Sequence, residues 1–172
     1  MILTSTQEYV PHAPGVFPAV CVDLIDLGLR EMEFQGRHRM VPRLCIVWET
    51  EAPDGTRHSI SRTFTASLNA KANLSEFLAH WRGKVITPGE TIDMSKLIGL
   101  CCTLVISHQQ RTDGTGTFSR VEAAGRPTRT ITPSGTYDGK LMRAQITARA
   151  ASLPIDRPDA ASSGTVDDDV PF

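Results

Sequence analysis

The sequence is poor in aromatic residues and has none of the short motifs that mark common enzyme classes. Phe, Trp and Tyr make up 6% of its 172 residues. There is no G-x-x-x-x-G-K-[ST], no H-E-x-x-H and no G-x-S-x-G, which excludes the usual phosphate-binding loop, zinc-protease helix and serine nucleophile elbow. No run of about 18 apolar residues occurs, which excludes a membrane-spanning helix. We therefore expect neither an enzyme nor a cofactor.

Cysteine is also scarce and follows no pattern of metal ligands. The four cysteines lie in apolar, strand-like segments, without a C-x-x-C pair or a histidine at zinc-finger spacing: Cys21, Cys45, Cys101 and Cys102. This placement predicts buried free thiols in a reducing compartment. The first 20 residues lack a basic region followed by an apolar run, so the sequence predicts no signal peptide and a cytoplasmic protein.

A net charge of -1 conceals an uneven distribution. Residues 1–150 contain 17 Lys and Arg against 14 Asp and Glu, a net charge of +3, whereas residues 151–172 contain one Arg against five Asp, a net charge of -4. A mildly basic body joined to an acidic segment is typical of nucleic-acid binders and interaction tails.

Alternation of apolar residues predicts five strands and one helix. The strands are VFPAVCVDLIDLGLREM, with Gly28 at a bulge or bend, then VPRLCIVWETE, HSISRTFTASL, LCCTLVISHQ and TFSRVEA. The helix is LSEFLAHWRG, with Asn73 as its cap, Glu76 completing a capping box and Gly83 at its end. DMSKLIG is predicted as a helical turn and residues 126–140 as a loop or a peripheral hairpin.

Three strands, a helix and two further strands follow the order of an OB-fold, a five-stranded barrel. An α+β sandwich of the same elements is the alternative. We predict an N-terminal arm over residues 1–15 and an all-β OB-fold domain with one helix over residues 16–150. Residues 151–172 are predicted to be a disordered linker and an acidic tip, because their composition cannot bury a core.

The segment VDDDVPF resembles the acidic tip of bacterial single-stranded DNA-binding proteins, in which aspartates precede an apolar residue, Pro and a terminal Phe. The body resembles small OB-fold proteins of phages and mobile elements in PAVCVDLIDLG, RLCIVWE, SRTFTASL and a helix ending in WRG. It does not resemble the standard bacterial protein, so tetramer formation is not implied and a homo-oligomer stays open. The resemblance implies a protein of DNA replication, recombination or repair in a bacterial host cell.

The same resemblance implies that the tip recruits host replication and repair enzymes. The side chain of Phe172 would fill an apolar pocket on the partner, its terminal carboxylate would pair with a basic residue beside that pocket, and the aspartates would meet a basic rim. The predicted interaction residues are Asp167, Asp168, Asp169, Val170, Pro171 and Phe172.

Sequence-tolerant binding of single-stranded DNA needs cations along the phosphate path and aromatic faces for stacking, worth about 1–3 kcal/mol per base. The candidates lie on the second and third strands and around the turns that follow the first and fourth: Arg37, Arg39, Arg43, Trp48, Arg62, Phe64, Arg111, Phe118 and Arg120. Trp48 and Phe64 are equally open to a core interpretation, because aromatic residues dominate cores. We expect Arg37, Arg39, Arg62 and Arg111 to line one groove.

Two other functions stay open at this point. The low aromatic content and modest positive charge are compatible with an OB-fold adaptor that binds proteins instead of DNA. A metal-dependent nuclease is a weaker alternative, based on the pairs Asp23/Asp26 and Glu49/Glu51. Charged residues on strands are more typical of solvated faces, which is the interpretation preferred for these carboxylates.

Overall fold

The computed structural model describes residues 11–112, 114 and 116–152, without the side chains of Phe34, Ala151 and Ser152. The elements are β1 (Gly15–Phe34), β2 (Arg37–Glu51), β3 (Arg57–Thr65), α1 (Asn73–Arg82), a 3-10 turn (Met94–Leu97), β4 (Cys101–Gln110), β5 (Thr117–Gly125) and α2 (Gly139–Ser152). The five predicted strands, the first helix and the helical turn are confirmed. Neither helix in the described part of the chain is long and apolar enough to cross a membrane.

The five strands form one antiparallel sheet in the order β3-β2-β1-β4-β5. The sheet is open, since no backbone ladder joins the edge strands β3 and β5 within the described residues. The fold is therefore mostly β, with a five-stranded antiparallel sheet and two helices. The closed barrel of the predicted OB-fold is not confirmed.

The edge strands are nevertheless joined by a side chain. Nη1 of Arg62, on β3, donates hydrogen bonds to the carbonyl oxygens of Val121 (3.0 Å) and Glu122 (3.1 Å) on β5. Val121 and Glu122 lie at the register shift of β5 against β4. Arg62 thus bridges the opening in the sheet.

The main core fills the space enclosed by the curved sheet and α1. Trp48 and Phe64 belong to it, at 0% and 2% exposure, and both pack against Phe77 of α1, with ring centroids 5.5 and 5.0 Å away. Leu74, Leu78 and Trp81 complete the buried side of α1. The helical spacing of these apolar residues is what places α1 across the sheet.

The predicted start of α1 is wrong in detail. Ala72 occupies the N-cap position and makes no side-chain cap, so Asn73 and Glu76 form no capping box. The predicted end is confirmed, because Gly83 adopts the left-handed conformation with φ of 68°. A Cβ at Gly83 would also lie 2.6 Å from Nε of Arg126, which packs over this turn.

β1 contains two register shifts against β2, between Cys21 and Asp23 and between Asp26 and Gly28. The second confirms the bulge predicted at Gly28, whose φ is 66°. Beyond this bulge β1 and β2 continue past their other neighbours, because β4 pairs only with residues 15–20 of β1 and β3 pairs with β2 only as far as Arg43. Residues 29–42 therefore form a two-stranded projection, here called the ribbon.

α2 was not predicted, and it packs on the outer face of the sheet. Its Ile146 joins Ile25, Leu27, Cys45 and Val47 in a second apolar cluster. α2 also extends to Ser152, two residues into the segment assigned to the linker. The rest of that segment, with the acidic tip, and residues 1–10 of the N-terminal arm lie outside the described residues.

The cysteines are free, as predicted: Cys21, Cys45 and Cys102 are buried and Cys101 is half-buried. Burial raises the pKa of the Cys21 thiol to about 12 and that of Cys102 still further. These thiols therefore stay protonated and unreactive at neutral pH.

Candidate nucleic-acid interface

The ribbon carries its arginines on one side. Its register pairs Arg30 with Val41 and Met32 with Arg39. Directly opposed residues, and alternate residues along a strand, share a face of an antiparallel pair. One face of the ribbon and its base is therefore formed by Arg30, Met32, Arg37, Arg39, Val41 and Arg43, a surface here called the arginine face.

The opposite face of the ribbon has a different character. It presents Glu31, Glu33, His38, Leu29 and Met40, all of them exposed. Glu31 lies 3.2 Å from Nδ1 of His38 on this same face. Both glutamates of the ribbon thus point away from its arginines, and an approaching polyanion meets opposite signs on the two sides.

A tight turn fixes this arrangement. The two residues between β1 and β2 are Gln35 and Gly36, with φ of 49° and 77°. Positive φ at both positions is characteristic of the two-residue hairpin turn whose twist matches that of the flanking strands. A turn of this length permits one register only, so the separation of charge follows from the local sequence.

The base of the arginine face is anchored by hydrogen bonds. Nη1 of Arg43 donates to Oγ1 of Thr65 (2.9 Å), and Nε of Arg30 donates to the carbonyl of Leu27 (3.0 Å). Arg37, nearer the turn, is exposed, and Arg39 is half-buried. Guanidinium groups present a fork of donors that matches a phosphate, so this face is suited to contacts with a nucleic-acid backbone.

The candidates around the β4–β5 turn lie elsewhere. The guanidinium carbon of Arg111 lies 5.9 Å from the ring centroid of half-buried Phe118, and Arg120 lies 3.8 Å from a carboxylate oxygen of Glu122. Since β4 pairs antiparallel with the first six residues of β1, this turn extends past the start of β1, whereas the ribbon contains the last residues of β1. These three candidates form a second, separate group.

The expected single groove is therefore not formed. Arg62 points to the inner side of the sheet, where its guanidinium carbon lies 4.7 Å from the ring centroid of Phe64. Arg43 occupies the outer side, as its bond to Thr65 shows. Trp48 and Phe64 are buried in the core, which supports the core interpretation of both. Arg37, Arg39 and Arg43 are the sequence candidates that the structure brings together.

The carboxylates considered as metal ligands have partners of another kind. Glu49 accepts hydrogen bonds from Arg57 (2.9 Å) and from the backbone and hydroxyl of Ser134 (both 2.8 Å). Asp23 accepts from Tyr137 (2.8 Å) and Arg143. No group of His, Cys, Asp and Glu able to hold a metal is found among residues 11–112, 114 and 116–152.

Asp23 and Glu49 are buried at 5% and 2% exposure, so the preferred interpretation of them as solvated is wrong. Burial by itself would raise the pKa of Asp23, but Arg143, Tyr137 and the N–H of Leu24 outweigh it and hold the pKa below its usual range. Asp23 therefore stays ionised, and the hydrogen bonds to Asp23 and Glu49 hold the chain after β5 against the sheet. Asp26, in contrast, is exposed.

Sequence reasoning missed Arg30 as a member of the arginine face. The signal was present: a Gln-Gly pair between two alternating segments specifies a two-residue hairpin, which places Arg30 on the side of Arg39.

Comparison with protein-family models and with curated proteins found no match to this chain.

Proposed function

We propose that this protein binds single-stranded DNA without strong sequence preference, and that the arginine face of the ribbon is its principal contact with the phosphates. The observation that carries the proposal is the separation of charge on the ribbon, with arginines on one face and glutamates on the other. Contacts between arginine and the phosphate backbone of DNA carry no information on the base sequence, which accounts for the expected tolerance of DNA sequence.

We further propose that the sheet is a partly open OB barrel. The neighbour order β3-β2-β1-β4-β5 and the Arg62 bridge between the edge strands support this assignment. Proteins of this fold take oligonucleotides on the face of the second and third strands and at two loops, one between the first two strands and one between the fourth and fifth. The ribbon is an elongated form of the loop between the first two strands.

The second part of the proposal rests on the resemblance of VDDDVPF to the acidic tip of bacterial single-stranded DNA-binding proteins. The tip recruits enzymes of replication, recombination or repair in a bacterial host, with Phe172 as the anchor. Calorimetry of the tail peptide against a host nuclease that binds such tips tests this. Unchanged affinity after Phe172→Ala would show that the aspartates alone carry recognition.

The test of DNA binding compares two double variants of the ribbon with equal changes in charge. Arg37→Gln/Arg39→Gln and Leu29→Glu/Met40→Glu each lower the net charge by about two units, on opposite faces. The first should weaken binding to oligothymidine roughly tenfold or more and reduce the slope of log affinity against log salt by about 1.4, because about 0.7 is lost for each phosphate contact with a single strand.

The control variant should bind within a few-fold of the original protein. Equal losses in both variants would show that only the overall charge matters and would remove the arginine face from the proposal. A competition assay with duplex DNA completes the experiment: equal affinity for duplex and single strand would overturn the assignment as a single-strand binder. Absence of any binding to DNA would favour the protein adaptor.

A further inference from the structure

α2 shares the outer side of the sheet with the arginine face. Arg43 and Cys45 alternate along β2 and point to the same side. Cys45 is buried under α2, in the cluster that contains Ile146, whereas Arg43 lies just beyond it. The helix and the arginine face are therefore consecutive parts of one surface.

The helix runs towards the arginine face. Its first two turns line a cleft with Glu49 and Ser59, near the far end of β2 and β3. Arg143 then reaches Asp23, which is paired with Val47, and Ile146 follows in the cluster that contains Cys45. The successive contacts of α2 thus follow the outer face of the sheet in the direction of Arg43.

Arg149 stands at the end of this path. It is exposed on the last turns of α2, one turn beyond Ile146. Its positive charge acts on the Cys45 thiol: burial raises the pKa of this thiol, and Thr63, Ser61 and the charge of Arg149 offset only part of that rise. Arg149 therefore lies within electrostatic reach of the strand position next to Arg43.

The charge composition of α2 also fits contact with an anion. The segment GKLMRAQITARAAS contains no Asp or Glu, and its cations are Lys140, Arg143 and Arg149. Arg143 is committed to Asp23 on the sheet. Lys140 lies in the first turn, at the end of the helix remote from the arginine face. A substitution at Lys140 is therefore a matched control for one at Arg149.

We infer that Arg149 extends the arginine face, so that a bound single strand passes from the ribbon onto the C-terminal half of α2. This inference rests on the proposed function. α2 covers the outer surface of β1 and β2 next to the ribbon, so a DNA strand that leaves the ribbon on this side meets the helix and not the sheet. The helix replaces that part of the sheet as the binding surface.

The experiment measures how the length of the DNA changes the effect of two matched variants of the full chain, Arg149→Glu and Lys140→Glu. Oligothymidines of about 5 and about 25 nucleotides are used, the first near the lower limit and the second beyond the upper limit of the roughly 4–16 nucleotides that one OB domain is known to bind. Arg149→Glu should weaken binding of the longer oligonucleotide roughly fivefold or more. It should have little effect on the shorter one, which the ribbon alone can hold. Lys140→Glu should be nearly neutral with both.

Equal effects of the two helix variants would overturn the extension, and so would an equal effect of Arg149→Glu at both lengths. Loss of binding in Arg37→Gln/Arg39→Gln with no effect of Arg149→Glu would leave the proposed function standing and remove only this inference. Thermal unfolding checks that each variant is folded. If Arg149→Glu disturbs α2, Arg149→Gln replaces it in the measurements of affinity. A photo-crosslinking residue placed at position 149 or at position 140 gives a second test, with crosslinks to DNA expected from position 149 only.

Discussion

At the scale of single residues, Arg62 shows how a cation expected to bind DNA can have a structural role. Its guanidinium group packs on the rings of Phe64 and Phe77, 4.7 and 5.6 Å from their centroids, and donates to two carbonyls of β5. A charged donor in such a bond contributes about 1.5–3 kcal/mol. Arg62 thus links the two edge strands of the sheet directly.

Arg62→Met should therefore lower the free energy of unfolding by about 1–3 kcal/mol, because the apolar packing is kept while the bonds to the carbonyls of Val121 and Glu122 are lost. Chemical denaturation measures the change. Arg37→Met, the same substitution at an exposed position, should leave stability within about 0.5 kcal/mol. If Arg62→Met keeps full stability but loses affinity for DNA, the residue belongs to the binding site after all.

At the scale of elements, the strands were predictable and the attachment of α2 was not. Alternation between Val16 and Glu51 and the Gln35-Gly36 turn specify the first hairpin locally. α2 also had local signals: Asp138 accepts a hydrogen bond from the N–H of Leu141 (3.0 Å), as a helix cap does, and Met142 and Ile146 follow at helical spacing. The segment PSGTYDG, which contains Asp138, was predicted as a loop, and the helix that begins at its end was therefore not predicted.

The position of α2 on the sheet depends on contacts that no local pattern contains. Asp23 and Arg143 are separated by 120 residues, and Glu49 and Ser134 by 85. From the sequence Asp23 and Glu49 look like ordinary polar positions on strands. Arg149 was missed as a binding candidate for the same reason, since its place beside the arginine face exists only once α2 is docked.

Asp23→Asn should loosen α2 without unfolding the sheet. The neutral amide cannot hold the guanidinium of Arg143 as the ionised carboxylate does, while the apolar contacts of Ile146 remain. Amide hydrogen exchange should become roughly tenfold faster or more in α2 and stay slow in β2. Asp26→Asn, at an exposed position on the same strand, is the control. Unchanged protection of α2 in Asp23→Asn would show that the apolar cluster alone fixes the helix.

At the scale of the whole molecule, one residue of the N-terminal segment contacts all five strands. The ring of His12 packs edge-on against the rings of Phe17 and His58, at centroid distances of 4.7 and 5.3 Å. Its Nε2 lies 2.6 Å from the hydroxyl of Thr50. Its carbonyl oxygen accepts hydrogen bonds from a histidine (2.6 Å) and a serine (2.9 Å). These partners belong to β1 through β5 in turn: Phe17, Thr50, His58, His108 and Ser119.

Because His12 joins both edge strands to the rest of the sheet, its protonation should affect the stability of the entire fold. Burial lowers the pKa of His12 from 6.5, opposed by its bond to the Ala13 carbonyl and assisted by the nearby His58 and His108. The native state thus binds this proton less readily than the unfolded chain. The contribution of His12 is fully present above pH 6.5 and is lost as the pH falls through that value towards the lower native pKa.

Tm should accordingly fall between about pH 7.5 and about pH 5.5, a range well above that in which Asp23 titrates. His12→Gln should remove most of this slope, and His38→Gln, on the exposed face of the ribbon, should not. A slope that persists in His12→Gln would show that the histidine does not couple the strands to pH.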